Sequence, residues 1–157
     1  MSFSDLFRSA PHVDATLGTL TRRDGQWHGQ IALADASVPI ALAGSKTAPS
    51  DGALRLGREL LTRYESLRPA IAGALFEHYG PYREALEAGE LDESEPIPRL
   101  IGPAEVWPHV TLRRVRIEPL DGVETVELAY ETAWDVEHTL GARFRDWTLV
   151  ELNGSVI

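Results

Sequence analysis

The 157-residue sequence has no cysteine, one methionine and, among fifteen basic residues, a single lysine, Lys46. Without cysteine there is no disulfide, no thiolate metal ligand and no thiol nucleophile. No apolar run approaches the roughly 18–20 residues that a membrane-spanning helix needs. The opening stretch, Met1 to Asp14, lacks a basic segment followed by an apolar one, so no secretory signal is expected. Positive charge is also scarce. With 24 acidic against 15 basic side chains the net charge is -9, a surface that repels phosphate backbones and argues against nucleic acid as a partner. The expectation is a cytoplasmic protein that touches neither membrane nor nucleic acid.

Signatures of catalysis are missing as well. There is no G-x-S-x-G, and Ser155 in Asn153-Gly154-Ser155 has no base beside it in the sequence. Gly52 and Gly57 have the spacing of a phosphate loop, but Arg58-Glu59 follow where Lys and Ser or Thr would be needed. No cofactor and no complete metal set is expected.

What is present reads as one globular domain over residues 1–157. Hydrophobic residues make up 43% and charged residues 25%, which is ordinary for such a domain. Ala15–Arg22, Gln26–Leu33 and Val38–Ala43 form a three-stranded meander, with Asp24-Gly25 as a tight hairpin turn and Asp35-Ala36 as the next. Trp27, Gly29 and Ile31 share one face of the middle strand, leaving His28 on the wet one. Pro39 cannot donate to a ladder, which places the third strand at an edge or pairs it through its other side.

Ser50 or Asp51 caps a helical segment in which Leu54, Leu60, Leu61, Tyr64 and Leu67 recur at helical spacing. Pro69 suits a first turn, so a break is expected near Ser66. A second helix then carries Ile71, Leu75, Phe76 and Tyr79, and a short third one runs from Pro81 to Ala88, ending at Gly89. Glu84 to Glu95 holds a block of carboxylates and reads as a solvated connection. Beyond a helical turn at Ala104–Trp107, Val110–Glu118 and Val123–Ala133 pair across a four-residue turn, setting Val115 against Val126 and an exposed Arg114 against Glu127. A last hairpin joins Leu140–Phe144 to Leu149–Leu152. Asp146-Trp147 is a poor two-residue turn, so a longer or strained loop should display Trp147. The class is therefore α+β: an antiparallel sheet from both ends of the chain, with a central two- to three-helix segment packed on one face.

The densest chemistry lies at Trp134-Asp135-Val136-Glu137-His138. In an extended segment Asp135 and Glu137 project to one side, and His138 can reach over from a turn. Carboxylate plus imidazole suits a divalent transition metal, but three or four ligands are normally required and no second cluster is visible. The structural alternative has Asp135 bonding its own backbone while Glu137 and His138 take neighbouring backbone groups or Arg143. Trp134, Asp135, Glu137, His138 and Trp147 are the candidate binding residues.

With these residues in view, the chain resembles a family of uncharacterised bacterial domains of about this length. The resemblance rests on Gly18-Thr19-Leu20, Trp27-x-Gly29, the run from Thr132 to Ala142 with its W-D-x-E-H-x-L-G core, and Val150-Glu151-Leu152-Asn153-Gly154. Val136 stands where that family has an acidic residue, and Thr139 where it has glycine. The resemblance implies a fold rather than an activity. By analogy with other small acidic α+β proteins, the leading expectation is a non-catalytic protein-binding module, of immunity or adaptor type, with a protein partner. The alternative is a metal-dependent hydrolase or small-ligand binder using Asp135, Glu137 and His138.

Overall fold

The computed structural model describes residues 9–91 and 96–156. Its elements are β1 (His12–Asp14), β2 (Gly18–Arg23), β3 (Gln26–Leu33), β4 (Ala36–Leu42), α1 (Asp51–Glu87), a 3-10 helix (Pro103–His109), β5 (Val110–Leu120), β6 (Val123–Thr132), β7 (Thr139–Arg145) and β8 (Thr148–Asn153). The strands form one mixed but mostly antiparallel sheet whose order follows the chain, β1 to β8. The α+β class holds. One pairing departs from antiparallel: β4 meets β5 in parallel, with Ile40, Ala41 and Leu42 beside Val115, Arg116 and Ile117. β4 is thus interior, and its ladder to β5 begins one residue after Pro39, which has no N–H to offer.

Turn chemistry fixes the hairpins. Asp24 (φ 53°) and Gly25 (φ 79°) both take the left-handed conformation that a two-residue type I′ turn requires. The next turn falls at Ala34 and Asp35, one residue earlier than expected, because Leu33 pairs with Ala36. Asp121-Gly122 is likewise a two-residue turn, so Pro119 and Leu120 belong to β5 rather than to a loop. Such a turn opposes Leu120 to Val123, two residues out of step with the Val115–Val126 pairing that a four-residue turn would set.

α1 corrects the expected two or three helices. It runs unbroken through Pro69 and Pro81. Each proline costs a backbone bond, about 3 kcal/mol in a helix interior, yet its φ is already helical. Both prolines lie on the exposed side, while Leu67, Ile71, Ala72 and Leu75 are buried around the first of them. Burying each such leucine or isoleucine contributes about 1.5–3 kcal/mol, enough to carry the helix across. The start is capped as expected, Ala53 N–H donating to Ser50 Oγ at 3.2 Å. At the end, Gly89 N–H donates to Leu86 O and Glu90 N–H to Ala85 O, a Schellman pattern with Gly89 at φ 71°. Of the carboxylate block, residues 92–95 lie outside the described residues.

The chain divides into two compact units, Met1–Tyr64 with Arg114–Glu127, and Glu65–Arg113 with Leu128–Ile157. The first buries Leu20, Trp27, Val38, Ile40, Leu42, Val115 and Ile117 from its strands and Leu56, Leu60 and Tyr64 from its helical part. Trp27 Nε1 donates to Ser45 O at 2.9 Å. Asp14, expected in no strand, ends β1 and is buried: Oδ2 accepts from the amides of Thr16 and Leu17, and Oδ1 from the guanidinium of Arg58. Arg58 is therefore tied down rather than simply wet. Glu127, expected in an exposed ion pair, is 4% exposed, and Arg114 beside it is half-buried. Burial, with the neighbouring charge of Arg116, lowers the pKa of Arg114 against the opposing pull of Glu127.

The second unit is built on Leu67, Ile71, Leu75 and Tyr79 of α1, Val106 of the 3-10 helix, Leu128 and Tyr130 of β6, and Leu140, Ala142 and Phe144 of β7. Arg143 pairs with Glu151 but Phe144 with Leu149, so Val150 is the extra residue of a β-bulge in β8. Asp146 (φ 47°) and Trp147 (φ 59°) make the strained form of the two expected outcomes, a two-residue turn with a tryptophan in the left-handed region.

Candidate functional site

β6 stops at Thr132, and the chain turns over the next six residues into β7. The amide of Ala133 is held by His109 O at 2.9 Å. Asp135 N–H then donates to Thr132 Oγ1 at 3.2 Å. This reverses the expected bookkeeping of the turn: the threonine side chain bonds the aspartate backbone. The Asp135 carboxylate is left to side chains. Its Oδ1 accepts from His138 Nδ1 at 2.8 Å, and its Oδ2 lies 3.8 Å from His78 Nε2. Tyr82, one turn further along α1 than His78, faces the same carboxylate.

Tautomers follow from the partners. Trp134 Nε1 can only donate, and it meets His78 Nδ1 at 3.1 Å, so neutral His78 carries its proton on Nε2, toward Asp135. An ionised carboxylate can only accept, so His138 donates from Nδ1. Burial pushes the pKa of His78 below its ordinary value, and this outweighs the attraction of Asp135. Burial raises that of Tyr82, helped by the neighbouring carboxylates of Asp135 and Glu137.

A hollow of about 350 Å³ opens beside this hub, lined by Tyr82, Pro96, Ile97, Ala133, Trp134 and the Asp135–His138 turn. Its walls are fixed from behind. Trp134, 3% exposed, packs edge-on against Tyr79 with centroids 5.4 Å apart. The Tyr79 hydroxyl donates to Pro98 O at 2.7 Å and accepts from Leu100 N–H at 3.0 Å, which anchors the segment bearing Pro96 and Ile97. Glu137 and Val136 are exposed at the rim, Val136 to 84%.

Four of the five candidate residues thus share one hollow: Trp134, Asp135, Glu137 and His138. Trp147 does not line it and sits half-buried at the β7–β8 turn. Arg143, expected to serve Glu137 or His138, donates to Glu151 at 2.7 Å instead. His78 and Tyr82 were not anticipated. Their four-residue spacing puts both on one helical face, the signal that ties them to a common partner. Among the described residues no group of three or more His, Asp and Glu is disposed to hold a metal ion. No described helix is long and apolar enough to cross a membrane. No curated protein and no solved structure matches the chain. A family model does match, across residues 16–156. The chain belongs to the family described as a domain of unknown function, DUF6985.

Proposed function

We propose that this chain is a non-catalytic binding protein that receives a basic side chain of a protein partner in the hollow at the end of β6. One observation carries the reading: Asp135 is buried and anchored by His138 within a hollow walled by Tyr82 and Trp134 and rimmed by Glu137. A guanidinium or ammonium group there meets carboxylate charge and aromatic faces together, an arrangement worth about 0.5–2 kcal/mol per cation–π contact. A net charge of -9 steers basic partners toward the chain and falls away as salt rises. The test is titration of the folded protein with an arginine-bearing peptide and its citrulline counterpart, followed by tryptophan emission. Preference for arginine, weakened by salt and by Glu137→Gln, supports the reading. Equal binding of the two peptides refutes it.

A metal-dependent hydrolase or small-ligand binder is the second reading. It is favoured by the Asp135–His138 bond, since carboxylates fix metal-ligating or basic imidazoles in this way. Elemental analysis of the purified protein, with His138→Ala beside it, decides the metal question.

A further inference from the structure

We propose that a second hollow, between α1 and the 3-10 helix, is a binding site for a small aromatic or apolar acid. It measures about 570 Å³, inside the range of about 300–1,000 Å³ typical of small-molecule sites, and is lined mainly by Pro69, Ala72, Pro103, Ala104 and Trp107. Prolines and alanines provide apolar wall without donors and leave room for a ring system. Arg68 lies over Trp107, its Cζ 4.3 Å from the ring centroid. The indole in turn meets Tyr130 edge-on at 6.4 Å.

These contacts decide the sign of the ligand. The cation-binding face of Trp107 is already occupied by a guanidinium, which repels a second cation and offers N–H donors to an anion. The carboxylate now facing Arg68 is Glu65, 3.3 Å away on a side chain 77% exposed. Such a solvated i,i+3 pair contributes little, and a ligand carboxylate can take its place. The acid that fits thus has a flat apolar body and one anionic group for Arg68.

Anilinonaphthalene sulfonate, which joins aromatic rings, an N–H and an anion, is a suitable probe; N-phenylnaphthylamine is the same body without the charge. The folded protein should bind the sulfonate saturably at one site. Arg68→Met, which keeps an apolar stem, should weaken it about tenfold, as expected for one lost charge-assisted hydrogen bond, and leave the neutral probe unaffected. Ala104→Phe, from the exposed wall, should fill the hollow and weaken both. Near-UV circular dichroism verifies that each variant is folded, with Arg68→Gln used should Arg68→Met lose that signal. Absence of saturable binding, or sulfonate affinity unchanged by either substitution, overturns the proposal.

Discussion

His78 accepts the indole N–H of Trp134 at Nδ1, so protonating it would set two N–H groups against each other. Its lowered pKa states the same conflict thermodynamically. Above the unfolded value of about 6.5 the neutral ring costs nothing; as pH falls below it the unfolded chain takes up the proton first and stability drops. His78→Asn, which keeps an acceptor near Nδ1, should flatten that part of the melting-temperature profile relative to the parent. Asp14 behaves oppositely in range though not in sense. Held by the Arg58 guanidinium and two amides, its pKa falls from 3.8 to about 2. Its contribution is complete above about pH 4 and is lost toward pH 2, so Asp14→Asn should reduce stability at neutral pH and remove this acid slope in urea titrations. At the hub, Asp135→Ala strips the acceptor from His138 and should cost about 1–3 kcal/mol. Exposed Glu137→Ala should stay within about 0.5 kcal/mol in the same melts. The grouping of Asp135 with His138 was legible from their three-residue spacing, but their direct bond was not, since the carboxylate was expected to take backbone amides. His78 and Tyr82 were not, since the Trp134–His78 bond spans 56 residues and only the folded helix brings them near.

At the scale of elements, α1 shows what local chemistry predicts and what it does not. Ser50 and Gly89 were readable as its ends because capping depends on the residue itself. The breaks assigned to Pro69 and Pro81 were wrong because a proline's penalty is local, while the burial that overrides it belongs to residues one turn away. Pro69→Ala restores a backbone donor on the exposed side and should stabilise the protein by about 1–3 kcal/mol, read as a higher urea midpoint with unchanged slope. The β7–β8 turn is the converse case. Its sequence was recognised as unsuited to two residues, and the structure adopts that turn with the strain retained in Trp147.

At the scale of the molecule, the progression strands, helix, strands was visible in the periodicity, but the junction between the two strand sets was not. Hairpins announce themselves through Asp-Gly turns, whereas a parallel pair has no turn to betray it. The consequence of that one parallel seam is kinetic. Every other strand pair is joined by a short turn, and such hairpins close in about 1–10 microseconds. Ile40 can meet Val115 only after α1 and the 3-10 helix have been gathered in, and the entropy of closing so long a loop comes before any reward. The seam is therefore where the barrier to folding should lie. Ile40→Val should slow refolding and leave the unfolding limb of a chevron nearly where it was, whereas an unmoved folding limb would put the barrier in the hairpins.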